Sequence, residues 1–206
     1  MRKLSREGLR EAMAELAARD ADFARAHDEV GVPPLRRRRQ GFETLLRAIV
    51  AQQVSVAAAS AIWGRVQATV DPLEPRRFLK AGDAALRAAG LSRQKIAYGR
   101  GLASDIVTGR VRLDRLGRMS DEDAIAELVK IKGIGRWSAE VYLLFAHGRA
   151  DMWPVDDVGL MVGMQRIKRL DERPRRAEML VLGEPWRPWR GAAALFLWHY
   201  LRNAAM

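Results

Sequence analysis

An all-α fold is predicted for this chain. Apolar residues recur at three- and four-residue steps along most of its 206 residues, and no segment sustains the period-two alternation of a half-buried strand. Residues suited to helix caps stand where the apolar periods begin.

The elements follow in order. MRKLSREGLREAMAEL at the N-terminus is basic, but its apolar residues fall at helical spacing and form no continuous signal-peptide core. The run Arg36 to Arg39 reads as a solvated loop ahead of the next helix in preference to a DNA contact. Phe42, Leu45, Leu46, Ile49, Val50, Val54, Ala58, Ala61, Ile62 and Val66 keep one face of a single long helix apolar. Asp83 can cap a short helix ending at Gly90, and Ser92 another carrying Ile96, Leu102, Ala103, Ile106 and Val107. Ser120 with Asp123 resembles a capping box, aspartate replacing glutamate, and opens a helix through Ile131. Arg136 to Ala146 reads as the next helix, ending near His147-Gly148. Beyond Asp157 a helix runs through Leu170, Pro174 suits the first turn of its successor, and Trp189 to Asn203 forms the last. There is no internal repeat, low-complexity segment or long linker. The longest apolar run, Ala192 to Trp198, is far short of a bilayer span. A soluble, cytoplasmic protein is expected, nucleoid-associated if its source is prokaryotic.

Composition narrows the partners. Lys and Arg number 36 against 25 Asp and Glu, a net charge of +11, which suits a nucleic-acid partner as well as any basic soluble protein. The absence of cysteine excludes disulfides, thiolate zinc sites and cysteine-ligated iron–sulfur clusters. His27, His147 and His199 share no metal-ligand spacing, so no metal and no cofactor are expected.

The most informative stretch is Leu128 to Glu140, LVKIKGIGRWSAE, followed by Pro154-Val155-Asp156-Asp157. Glycine takes positive φ without strain, so Gly133-Ile134-Gly135 forms a turn tight enough for a phosphate to approach the backbone. Amides of Gly133, Gly135 and Arg136 then point outward at the start of a helix, where the dipole favours an anion. Such a contact is blind to sequence. A plain αα-hairpin with a glycine C-cap explains the two glycines equally well. Lys130, Lys132 and Arg136 either reach neighbouring phosphates or form a solvated basic face. Asp156 and Asp157 either cap the helix that begins at Val158 or supply a carboxylate for chemistry.

Four ordered motifs carry a resemblance. Ala51-Gln52-Gln53-Val54-Ser55, Gly133-Ile134-Gly135-Arg136-Trp137, the interval from Trp137 to Asp157, and Trp186-x-Pro188-Trp189-Arg190 together resemble the helix-hairpin-helix (HhH-GPD) DNA glycosylase superfamily, within it the 3-methyladenine DNA glycosylase II group. The resemblance covers roughly Phe42 to Asn203. It implies a two-lobed helical fold with the active-site cleft between the lobes, here one glycosylase unit over residues 1–206: a central bundle with the hairpin over 42–135, and a second lobe from 1–41 with 136–206. Inducible bacterial members carry an extra N-terminal domain for which this chain is too short.

The resemblance also assigns roles. A glycosylase takes its nucleotide out of the stack and breaks the bond from base to sugar C1′. Positive charge grows on the sugar, so a fixed carboxylate stabilises the transition state and can orient the attacking water. Asp157 is the candidate, with Asp156 as cap or helper. Trp137 stands where bifunctional members carry a lysine that attacks C1′, and tryptophan has no such amine. The implied enzyme is therefore monofunctional and leaves an abasic site. Trp137 can instead line the flipped-base pocket, and Trp198 matches a pocket-wall tryptophan of the resembling group, with core packing as the alternative for each; Trp153, Trp186 and Trp189 read as structural. Gln53 matches the side chain pushed into the gap left by the flipped base, or is a helix-surface glutamine. Val141 and Val158 replace tyrosines of the best-known bacterial member, which leaves the substrate range open. A monovalent cation on hairpin carbonyls, as the resemblance suggests, would leave no side-chain trace.

The implied function is excision of alkylated purines, 3-methyladenine and 7-methylguanine, from damaged double-stranded DNA by a monomer without membrane contact. One rival is a glycosylase for deaminated or oxidised bases. Another is a non-enzymatic helix-hairpin-helix module, against which Asp157 argues, since pure binding has no need of an anion in a basic cleft.

Overall fold

The computed structural model describes residues 2–204 and contains, among them, twelve α-helices and no sheet, only an isolated bridge between Lys3 and Arg149. No helix is long and apolar enough to cross a membrane. The chain forms two compact units, one from residues 38–142, the other from 2–37 with 143–204.

The first unit holds α3 (Phe42–Ala51), α4 (Val56–Thr69), α5 (Pro75–Lys80), α6 (Asp83–Ala88), α7 (Arg93–Val107), a 3-10 turn (Leu113–Arg118), α8 (Asp121–Val129) and α9 (Arg136–Tyr142). Its core is Leu45, Leu46, Ile49, Trp63, Val66, Phe78, Leu102 and Leu128, with α3 packed on α4, α7 and α9. The single long helix expected from Phe42 to Val66 is two. Gln53 takes a left-handed φ of 55° and the Ser55 hydroxyl accepts the Ala58 amide, so α4 starts afresh at Val56. The lobe boundary expected at 135 lies instead after Tyr142, because α9 buries Ala139 and Tyr142 against α3 and α8.

Local chemistry sets the other ends. Ser92 caps α7 by accepting the Lys95 amide at 3.2 Å. Gly82, not Asp83, is the N-cap of α6, and the Asp83 carboxylate pairs with Arg100. Ser120 accepts the Asp123 amide at 3.1 Å, but Asp123 takes the Ser120 hydroxyl instead of the reciprocal backbone N–H.

The second unit holds α1 (Arg6–Arg19), α2 (Ala21–Val30), a π-helical turn (Leu143–His147), α10 (Val158–Lys168), α11 (Arg176–Gly183), a 3-10 turn (Glu184–Trp186) and α12 (Arg190–Asn203). The helix expected through Ala146 is thus α-helical only to Tyr142. Pro174 precedes α11 and its N-cap Arg175, one step outside the first turn expected for it. Leu16, Phe23, Leu160, Met164, Trp186 and Phe196 fill the core.

Asp20 ties this unit together. Its carboxylate caps α2 through the amides of Asp22 and Phe23, accepts Lys168 Nζ at 2.6 Å and accepts the Trp186 indole N–H at 2.8 Å. Burial pushes its pKa up, yet hydrogen bonds from Lys168, Trp186 and the Phe23 amide outweigh that and hold it below 3.8.

Candidate active site

The hairpin is built by α8, which stops at Val129, a six-residue turn over 130–135, and α9, which starts at Arg136. After α8, Ile131 N–H bonds Leu128 O and Ile134 N–H bonds Ile131 O, which closes the turn. Gly133 has φ +93°, and a Cβ there would lie 2.4 Å from the Tyr98 ring, so only glycine fits. Gly135 differs from expectation: its φ is not positive, and a Cβ would meet nothing within 4 Å. Its flank is open instead, which leaves the backbone approachable. Among the described residues the amides of Gly133, Gly135 and Arg136 give no turn or loop backbone hydrogen bond, as an anion-binding group at a helix start requires.

The cations around the hairpin are divided. The Arg136 guanidinium is held by Glu122 at 2.6 Å and by buried Glu140 at 3.0 Å, and the Glu122 hydrogen bond raises its pKa further. Lys130 pairs with Glu127 at 2.5 Å. Lys132 is exposed. Of the three cations assigned to phosphates from sequence, two are already paired within the chain.

Gln53 and the hairpin come together. A groove of about 610 Å³ is lined by Gln52, Gln53, Lys95, Tyr98, Gly133 and Gly135 among others. The exposed Gln53 stands at the tip of the α3–α4 loop, so its helix-surface reading gives way to a loop presentation. On the other side of Gln52, a cavity of about 230 Å³ is lined by Arg38, Thr44, Ala48, Ala51, Gln52, Trp137, Ser138, Val141 and Tyr142. Trp137 is 43% exposed there, so it is not a core residue. Tyr142 hydroxyl accepts the Gly41 amide at 2.9 Å, and burial pushes its pKa up. Arg38, read from sequence as part of a solvated run, lines this cavity.

Asp157 and Trp198 come together in the other unit. Asp157 is the N-cap of α10: its Oδ1 accepts the Leu160 amide at 2.9 Å and the Trp198 indole N–H at 3.0 Å. The capping reading and the chemical reading thus share one side chain, the cap fixing one oxygen. Trp198 is half-buried and stacks on Phe145 with ring centroids 5.6 Å apart. A Cβ on Gly159 would sit 3.0 Å from Asp157 Oδ1 and 3.3 Å from Trp198 Nε1, so the missing side chain gives the pair its room. Asp156 is bonded to Arg176. Sequence reasoning missed Gly159, Phe145 and Arg38; none carries a local motif.

Three other tryptophans and His147 lie in packed surroundings. Trp153, Trp186 and Trp189 are buried, their indoles bonded to Met179 O, Asp20 and Glu15. Burial and the nearby Arg149, Lys3 and Arg37 push His147 down to about 4, which leaves it neutral at physiological pH. Among the described residues no group of three or more His, Asp and Glu is placed to hold a metal ion.

Known proteins resemble the chain in sequence and fold. The chain is 32% identical over 165 residues to "DNA-3-methyladenine glycosylase 1" of Schizosaccharomyces pombe, covering 78% of this chain and 72% of the relative. It is 35% identical over 113 residues to "Putative DNA-3-methyladenine glycosylase YfjP" of Bacillus subtilis, covering 55% of this chain but only 39% of that protein. The structure of the Schizosaccharomyces pombe 3-methyladenine DNA glycosylase in complex with abasic DNA superposes with a TM-score of 0.82 at 31% identity, covering 91% of this chain and 95% of that one. Residues 46–188, which span α3 through the turn before α12, match the HhH-GPD description itself. The chain belongs to the HhH-GPD superfamily of base excision DNA repair proteins.

Proposed function

We propose that the protein is a monofunctional DNA glycosylase of the 3-methyladenine II type, which flips an alkylated purine out of double-stranded DNA and hydrolyses its N-glycosidic bond. The observation that carries this reading is the fixed carboxylate of Asp157, bonded through Oδ1 to the α10 amide and to Trp198. As the base departs, charge develops on the sugar, and an anion already oriented needs no reorganisation to stabilise it. The same carboxylate orients a water toward C1′ and takes its proton. Alkylation at N3 or N7 makes the purine cationic and a good leaving group, so no strong general acid is needed. A tryptophan face attracts such a cation by about 0.5–2 kcal/mol, and the exposed Trp137 supplies one. Trp137 has no amine to form a Schiff base, which supports water as the nucleophile and an abasic site as the product. The protein acts as a monomer in the cytoplasm, or on the nucleoid of a prokaryote. A monovalent cation at the hairpin belongs to the same reading: Ile131 O and Gly133 O each accept one hydrogen bond and keep a second lone pair.

The test is single-turnover base release from duplexes bearing 7-methylguanine, 3-methyladenine, uracil or 8-oxoguanine, corrected for spontaneous depurination. Asp157→Asn is expected to lose on the order of a hundredfold or more in rate while still binding DNA, and borohydride is expected to trap no covalent adduct with the wild type. Near-normal release by the variant moves the carboxylate's role elsewhere, and efficient trapping overturns the monofunctional assignment.

A second reading, excision of deaminated or oxidised bases, draws on Arg38. A guanidinium beside Trp137 repels a cationic base and donates to the acceptor edge of a neutral purine. The four lesions above separate the two readings.

A further inference from the structure

The loop that presents Gln53 is held on both sides. After α3 ends at Ala51, Gln52 turns extended with φ −62° and ψ 135°, and Gln53 enters the left-handed region at φ 55°. A residue other than glycine persists there only where its surroundings over-determine the backbone. Two side chains supply that constraint. Gln52 Nε2 donates to Gly133 O at 2.8 Å, across to the hairpin, and Lys95 Nζ donates to Val50 O at 2.7 Å, on the last turn of α3.

The far ends of both ties are themselves fixed. Gly133 lies against the Tyr98 ring, whose hydroxyl accepts Gln94 Nε2 at 2.7 Å, so its carbonyl has a set direction. Lys95 sits in the first turn of α7, where Ser92 caps its amide. Ser55 closes the loop on the α4 side. Pinned at 50, 52 and 55, the loop leaves Gln53 and Val54 exposed, and the Gln53 side chain makes no hydrogen bond among the described residues.

We infer that Gln52 is a positioning residue for the wedge: its amide couples the loop that presents Gln53 to hairpin Gly133, so the phosphate grip and the filling of the vacated base position move as one piece. This rests on the reading of Gln53 as the inserted side chain. Gln52 acts through Gln53, and its own contact with DNA is not required. Lys95 has the lesser part of holding the end of α3 from which the loop departs.

The experiment uses the full chain with a duplex carrying a tetrahydrofuran abasic analogue flanked by 2-aminopurine, whose fluorescence reports insertion, together with single-turnover release of 7-methylguanine. Gln52→Met keeps the length and removes the donor; Gln52→Glu keeps the shape and sets a carboxylate against the Gly133 carbonyl. Both variants are expected to lower insertion and release by roughly three- to tenfold, the worth of one hydrogen bond, with affinity for undamaged duplex within about twofold of wild type. In a Gln53→Ala background Gln52→Met is expected to cost nothing further, because the two act as a unit. A full, additive loss in that background overturns the positioning role. If Gln53→Ala alone leaves insertion unchanged, the wedge reading fails, and the inference fails with it by a different observation. Thermal unfolding midpoints matching wild type for either Gln52 variant keep the comparison free of misfolding.

Discussion

The indole of Trp198 does two jobs at Asp157, and they can be separated by one atom. Its N–H fixes Oδ1 while its ring, stacked on Phe145, forms a flat wall. Trp198→Phe removes the hydrogen bond and keeps most of the wall. A hydrogen bond to a charged group is worth about 1.5–3 kcal/mol, so kcat is expected to fall roughly ten- to a hundredfold with little change in lesion binding, whereas Trp198→Ala weakens binding as well. Single-turnover rates and anisotropy titrations check this, and equal behaviour of the two variants would show that the N–H is idle. The cap at Asp157 was legible in the sequence because an acidic pair stands directly before the apolar period that begins at Val158; its proposed chemical role rests on the interval from the hairpin that the resemblance supplies. Gly159 and Phe145 were not, because each acts by leaving or filling space beside a residue brought close only by folding.

Helix junctions carry the second level of organisation. Asp20 ends α1 through its backbone N–H, while its carboxylate starts α2 and holds Lys168 of α10 and the Trp186 indole, so one residue fastens four segments. Breaking a largely buried pair leaves an uncompensated charge, and Asp20→Ala is expected to destabilise the fold by about 3 kcal/mol. The sign of the pH effect follows from its lowered pKa. Folding favours the ionised form, so the stabilisation is present in full above the ordinary carboxylate range and is lost as pH falls through the folded-state value, below 3.8. Denaturant unfolding of wild type and Asp20→Ala from pH 7 to pH 2.5 should show the two curves converging in acid; a constant gap would contradict this. Helix existence was legible from periodicity, but the break at Gln52 to Ser55 was not. In sequence the three- and four-residue apolar spacing runs on through the break, although Val54 and Ala61 of that face are exposed and Trp63 is buried instead, and a left-handed glutamine has no signature of its own. The same blindness hid the π-helical turn at Leu143–His147, since its composition is that of an ordinary buried helix.

At the scale of the molecule, the count of basic residues overstates the grip on DNA. The sequence holds 36 of them, yet Lys130, Arg136, Arg190, Lys168, Arg176 and Arg187 are already paired with carboxylates of the chain. The hairpin adds amides, which bind a phosphate without carrying a full charge. Affinity for undamaged duplex should therefore fall with salt with a log–log slope of only about −3 to −5, set by the phosphates actually neutralised. Anisotropy titrations across a salt series measure it; a flat response would defeat the electrostatic account, and a slope near −10 would mean that the internal pairs open on DNA. Composition pointed to nucleic acid, but only folding shows which cations are spent at home. The self-pairing of Arg136 and Lys130 beside the hairpin also bears on how a lesion is found. A clamp made chiefly of dipoles is expected to hold a duplex lightly, so that each stay on healthy DNA is short and the search for a lesion proceeds by many brief landings instead of long rides along one tract.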